Sequence, residues 1–225
     1  MKTYKIYLIR NGLTQGAVEG RYIGHTDEPL SVEGRKQLIE LAEKYIYPDV
    51  DAVISSPLKR CTETAKLLYP GKEPLIIDGI IECNFGEFEN KSADELADDE
   101  NFSEWIKGGL DIAPPHGESN REFSIRIYNA FIKIIEGILK AGIKETAIVT
   151  HGGIIMSWLS AFGLPEAPLT DWRTPCGCGY MIRLDASVWS KINKFEVIDE
   201  IPFITEKENP TDNPESFWGD INIQA

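Results

Sequence analysis

The apolar positions along the chain fall into short runs and periodic stripes, and they predict alternating strands and helices. The run Tyr4-Lys5-Ile6-Tyr7-Leu8-Ile9 is short, β-branched and aromatic, and it stops at Gly12, as a buried strand does. Residues 13–30, rich in Gly, Thr, Asp and Pro, read as an extended loop. Ser31 then suits an N-cap, with Glu33 in the first turn and Leu38, Leu41, Ala42 and Tyr45 at helical spacing. Val50 to Ile54 predicts a second buried strand. It ends at Ser55-Ser56-Pro57, where proline fits the first turn of a helix running to about Leu68. Leu75-Ile76-Ile77 predicts a third strand.

Residues 80–118 are weakly periodic, acidic between Asp94 and Glu104, and closed by Pro114-Pro115-His116-Gly117. A connection of this length predicts a functional lid or insertion, with Phe102 and Trp105 as packing residues on a short helix. Ser119 or Asn120 opens a long helix carrying Phe123, Ile127, Ala130, Phe131, Ile134, Ile135 and Ile138 on one face. Thr146 to Thr150 is a strand, and His151-Gly152-Gly153 turns it into a helix with Ile155, Trp158, Leu159 and Phe162. Gly179 to Leu184 and Phe195 to Ile201 complete the sheet. Such alternation predicts a three-layer αβα sandwich, a mostly parallel sheet covered on both faces. With no repeat and no composition break, the expectation is one domain over 1–205 with its insertion at about 80–118, and an acidic surface tail over 206–225.

Composition changes this picture little. A 225-residue chain buries roughly 70% of its unfolded surface in a single core. The balance of 23 basic against 36 acidic residues gives a net charge of −13. Such a surface repels nucleic acid and anionic membrane, so the expected partner is a small molecule, with the protein itself a monomer or homodimer. No signal sequence or long apolar span is read, and the expectation is a soluble cytoplasmic protein. Cys61, Cys83, Cys176 and Cys178 read as free thiols, and the Cys-Gly-Cys spacing does not match a zinc site. No metal or cofactor is expected.

Ligands of parallel α/β sheets bind outside the carboxyl ends of the strands. Arg10, Arg60 and His151 are all predicted there. The blocks that carry them are Leu8-Ile9-Arg10-Asn11-Gly12-Leu13-Thr14, the Gly20 to Ser31 segment, Ser55 to Ala65, Ile81 to Glu89, and Val149-Thr150-His151-Gly152-Gly153, with Pro115-His116-Gly117-Glu118-Ser119 between the last two. Together, over about residues 4–160, they resemble the histidine phosphatase (phosphoglycerate-mutase-like) superfamily. The resemblance is nearest to the branch with α-ribazole-phosphate and broad-specificity phosphatases. Asn11 stands where that family has its histidine.

The resemblance implies phosphoryl transfer through a phosphohistidine at position 11. It makes Arg10 and Arg60 the fork-like phosphate ligands, and His151 a stabiliser of transition-state charge. Glu82 would be the general acid and base. Thr14 and Tyr22 would contact substrate, and backbone amides around Ile23, Gly24 and Gly152 would complete the cradle. His25 and His116 read as loop residues, with His116 a pocket-rim contact. Ala17, Met156 and Leu13 replace an asparagine, an arginine and a glutamate common in relatives, which weakens a mutase more than a phosphatase reading. The expected activity is hydrolysis of a phosphomonoester such as α-ribazole phosphate or a sugar- or nucleoside-like monoester. Phosphoglycerate mutase is the same-class alternative, and a phospho-ligand binding module is the other. An asparagine amide can donate to phosphate but has no nucleophilic lone pair. The chain as written is therefore expected to be impaired, either as a natural pseudo-phosphatase or through a deliberate change that traps substrate. Retention of Arg10, Arg60, Glu82 and His151 favours the second.

Overall fold

The computed structural model describes residues 2–204. Strands β1 (Thr3–Arg10), β2 (Ala52–Ser55), β3 (Leu75–Ile76), β4 (Glu145–Thr150), β5 (Gly163–Leu164), β6 (Gly179–Asp185) and β7 (Phe195–Ile201) form one sheet in the order β3-β2-β4-β1-β6-β7-β5. The pairings β1·β4, β2·β4, β2·β3 and β5·β7 are parallel, and β6 runs antiparallel to both β1 and β7. The helices are α1 (Gln15–Val18), α2 (Val32–Lys44), α3 (Lys59–Leu68), α4 (Glu100–Ile106), α5 (Asn120–Ala141), α6 (Gly152–Phe162) and α7 (Ala186–Ile192).

Strand alternation decides which helix covers which face. Ile6 and Leu8 of β1, with Ile54 and Ile148, face a core built with α5 and α6 around Ile127, Phe131, Trp158 and Leu159. Tyr7 and Ile9, with Val53, Ala147 and Val149, face the opposite way onto Leu38 of α2 and Cys61, Ala65 and Leu68 of α3. That is the three-layer sandwich expected from the sequence. The long helix begins at Ser119 with a full capping box: Ser119 accepts from the Glu122 amide, and Glu122 accepts from the Ser119 amide. It ends at Gly142, whose φ of 72° lies in the left-handed region.

Several local expectations need correction. The helix after Ser55-Ser56-Pro57 starts at Lys59 with Leu58 as N-cap, so Pro57 precedes it rather than opening its first turn. The segment 13–30 contains the short α1, whose N-cap Thr14 accepts from the Ala17 amide. The third strand is only Leu75–Ile76, both exposed at the sheet edge. Ala42 is exposed and not part of the buried stripe of α2. In the insertion, Phe88, Leu96 and Phe102 form a small core of their own, closed by Tyr22, Phe85 and Trp105. The acidic tail expected over 206–225 lies outside the described residues.

Candidate active site

Three adjacent strands end together and place the chemistry. Arg10 pairs with Thr150 and Ser55 with Val149, so the residues that follow, Asn11, His151 and Ser56, emerge side by side at the carboxyl edge of β1, β4 and β2. The Asn11 and Ser56 amides still donate to Thr150 and Val149 carbonyls, at 2.8 and 3.0 Å, which fixes the backbone on which these side chains stand. Just beyond, β4 passes into α6, whose first amide, that of Gly152, has no intrahelical acceptor. The N-terminal end of this 11-residue helix therefore opens beside the strand ends, where its dipole favours an anion.

Asn11 is buried. Its Nδ2 donates to the Gly12 carbonyl at 2.8 Å, and its Oδ1 lies 3.2 Å from His151 Nδ1. His151 is almost fully enclosed, with Nε2 at 2.8 Å from Ser56 Oγ and Nδ1 at 3.3 Å from Arg60 Nε. One ring nitrogen cannot both accept from Arg60 and donate to Asn11. The guanidinium N–H is permanent, so Nδ1 is assigned as its acceptor and Nε2–H as the donor to Ser56. Asn11 Oδ1 then faces a lone pair. Flipping the amide would only turn that oxygen against the Gly12 carbonyl. Burial, reinforced by the guanidinium groups of Arg60, Arg126 and Arg10, holds His151 well below the ordinary imidazole value and keeps it neutral.

Arg60, 2% exposed, donates through Nη1 to the Thr26 carbonyl at 2.8 Å and through Nη2 to the Gly24 carbonyl at 2.7 Å. Arg10 donates to the Thr174 carbonyl at 2.6 Å and lies across the start of α6. A Cβ on Gly152 would stand 3.2 Å from Arg10 Nε, so glycine there leaves the guanidinium its place. Glu82 accepts from the Cys83 amide at 3.0 Å and the Gly153 amide at 3.1 Å. Burial pushes its carboxyl up, against the opposing pull of the Cys83 amide, Arg60, the Gly153 amide and Arg10. A Cβ on Gly153 would come within 2.7 Å of Glu82 Oε1. Arg126 grips the segment behind Glu82, donating to the carbonyls of Gly79, Ile81 and Glu82 while pairing with Glu118.

The structure thus gathers Arg10, Asn11, Arg60, Glu82, His151 and Gly152 at one end of the sheet. Other predicted contacts are differently occupied. The Gly24 amide is not free for a ligand: it donates to Glu89 at 3.1 Å, and Gly24 serves the site through its carbonyl. Thr14 caps α1. Tyr22 is packed edge-on against Phe85, Phe102 and Trp105, and Ile23 lies over Gly16. His116 is exposed and sits 3.5 Å from Glu87. Sequence reasoning did not single out Ser56, Cys61, Glu89 or Arg126. Cys61 Sγ lies 3.5 Å from His151 Nε2, and burial pushes its thiol up to about 12, so it is a neutral neighbour. Ser56 had a signal, its place at a strand end in a matched block, but Arg126 looked like any polar position on an amphipathic helix. Among the described residues, no three His, Cys, Asp or Glu side chains are placed to hold a metal ion, and no helix is long and apolar enough to cross a membrane.

Two arginines, a neutral histidine and a raised carboxyl converge at the strand ends of an αβα sandwich, donors and a proton carrier of the kinds that suit a phosphoryl group. The chain belongs to the histidine phosphatase superfamily (branch 1), whose sequence profile matches residues 6–193. It is 28% identical to the adenosylcobalamin/alpha-ribazole phosphatase of Escherichia coli K12 over 179 residues, 77% of this chain and 87% of that one. It is 31% identical to the probable phosphoglycerate mutase GpmB of Escherichia fergusonii over 170 residues, 72% and 76% of the two chains. The crystal structure of the alpha-ribazole phosphatase from Shigella flexneri matches with a TM-score of 0.77 at 25% identity, covering 91% of this chain and all of that one. The family is one of phosphatases, and the fold is phosphoglycerate-mutase-like.

Proposed function

We propose that this chain carries the pocket of a phosphomonoesterase for a small phosphorylated metabolite, complete except for its nucleophile, so that it binds a phosphomonoester without turning it over. The observation that carries this reading is the set of the Asn11 amide. Nδ2 donates to the Gly12 carbonyl, as the Nδ1–H of an imidazole at that position would, and Oδ1 occupies the place of that ring's Cδ2–H against His151. A C–H edge would suit the lone pair on His151 Nδ1 better than a carbonyl oxygen does. An imidazole in this place would reach beyond the amide, and asparagine lacks the outer ring nitrogen that would attack phosphorus.

With histidine at position 11, that nitrogen would attack phosphorus in line while Arg10, Arg60 and the Gly152 amide hold the phosphoryl oxygens. Glu82, whose carboxyl burial pushes up, would donate its proton to the leaving alkoxide and then take one from the water that cleaves the phosphohistidine. These steps use side chains and water only. For the leaving group, Phe85 and Trp105 of the insertion, with Tyr22 of the 13–30 segment packed against them, offer an aromatic edge. Between 83 and 118 the only lysines are Lys91 and Lys107, with no arginine, and Lys107 is paired with Glu104. That is too little positive charge for a second phosphate and a carboxylate, which disfavours mutase chemistry. The relatives named for alpha-ribazole support a nucleoside-like monoester. The intact Arg10, Arg60, Glu82 and His151 support a deliberate, substrate-trapping change at position 11 over a natural pseudo-phosphatase.

The test is Asn11→His assayed with p-nitrophenyl phosphate. Loss of a covalent nucleophile costs on the order of 10^4 to 10^6 in rate, so the restored enzyme should gain activity of that order over the chain as written. Unchanged hydrolysis would sink the reading, and isomerisation of phosphoglycerate would move it to a mutase.

A further inference from the structure

The carboxylate of Glu89 lies outside the reacting groups, yet it is the most heavily hydrogen-bonded acidic side chain near them. Its Oε2 accepts from the Gly24 and Thr26 amides, both at 3.1 Å, and from Thr26 Oγ at 2.6 Å. Its Oε1 accepts from the His25 amide at 2.8 Å and the Phe85 amide at 3.0 Å. Burial alone would raise this carboxyl, but the bonds from Thr26, His25, Phe85 and Gly24 outweigh it and hold the group below the ordinary range, so it is charged. Gly24 fits this junction only as glycine: a Cβ there would fall 1.9 Å from the Cys83 carbonyl oxygen.

The far side of the same turn is what Arg60 leans on. The His25 N–H that donates to Glu89 belongs to the same peptide unit as the Gly24 carbonyl that accepts from Arg60 Nη2, and Thr26, held to Glu89 through its N–H and Oγ, offers its carbonyl to Arg60 Nη1. With Nε given to His151, one N–H on each Nη stays available to a ligand. We propose that Glu89 is a positioning residue for phosphate binding: by holding the amides of residues 24–26 it sets the two carbonyls that aim the Arg60 fork. This rests on reading Arg60 as a phosphate ligand. Asp27 is the competing anchor, since it accepts from the Lys59 amide at 2.7 Å and pairs with Lys59 Nζ.

Glu89→Gln keeps size but puts an N–H₂ where an acceptor is needed. Two measurements on the chain with Asn11 in place test the idea. In ligand-free protein, the Arg60 Nε–H signal in nitrogen-15 NMR should exchange slowly, and Glu89→Gln should accelerate that exchange. Calorimetric titration with inorganic phosphate should show about a tenfold weaker Kd, the scale of losing one or two charge-assisted hydrogen bonds. Placed in an Arg60→Met background, Glu89→Gln should have no further effect on phosphate affinity, because its influence passes through Arg60. If Glu89→Gln does not fold, Thr26→Ala, which removes only the hydroxyl bond, should shift both readouts in the same direction by less. An unchanged Arg60 signal, or additive losses in the double variant, overturns the proposal and leaves Asp27 as the anchor. A parent chain that binds no phosphate counts instead against the phosphate-pocket reading, while the Arg60 signal still decides the role of Glu89.

Discussion

His151 and Glu82 share one pocket, and burial drives each toward its neutral form. For His151 the folded value is depressed, so the stability it allows is present above the ordinary imidazole value and is lost as pH falls toward the folded value. Glu82 has the opposite sign: its raised folded value favours the folded state at low pH, and that benefit fades as pH rises through it. Below about pH 6.5 the unfolded chain therefore takes up a proton that folded His151 refuses. The denaturant midpoint of the chain, taken relative to that of His151→Asn, should fall between about pH 7 and pH 5.5; an unchanged difference would contradict the buried, neutral assignment. The principal groups were legible as letters in the sequence, because Arg10, Asn11, Arg60, Glu82 and His151 each sit in an ordered block. Their wiring was not. Nothing in the spacing tells that the Gly24 amide belongs to Glu89, since that bond closes only when residues 65 positions apart meet in the fold.

Elements with strong periodicity were read well, and α5 shows why. Its seven buried apolar residues were all named from the stripe, and its start was bracketed by Ser119. The capping box makes a local demand on sequence, so it leaves a local signature. Ser119→Ala removes the Oγ bonds to the Glu122 amide and carboxylate while keeping the Ser119 amide bond, and should cost about 1 kcal/mol, read as a lower unfolding midpoint with unchanged denaturant slope. A change within a few tenths would mean that packing against α6 alone sets this end. Some short elements were not legible. The two-residue β5 and the seven-residue α7 have too few positions to show a period, and their shape comes from what they pack on, such as Trp189 of α7 against Phe131. The antiparallel insertion of β6 between β1 and β7 is likewise a matter of pairing, which no single-strand pattern reveals.

At the scale of the whole molecule, acidic charge and phosphate chemistry are reconciled by confinement. A chain of net charge −13 binds an anion only where its positive groups converge, and Arg10, Arg60 and the start of α6 do so at the edge of three strands. The insertion adds a separate aromatic core, which joins it to the Tyr22 loop, while Ile80, Cys83 and Phe85 at its start pack on the main core. The sandwich was predictable from alternation, whereas the docking of 80–118 depended on contacts among Tyr22, Phe85, Phe102 and Trp105 that sequence order does not encode. The central claim is that this architecture is a phosphohistidine machine stopped at one atom. Its most direct test is intact-mass spectrometry of Asn11→His and of the chain as written, each quenched in alkali soon after mixing with p-nitrophenyl phosphate. The account predicts that the Asn11→His protein gains the mass of one phosphoryl group, which acid then removes, and that the chain as written gains none. An unlabelled Asn11→His protein, or an acid-labile phosphoryl group on the chain that carries Asn11, would contradict it.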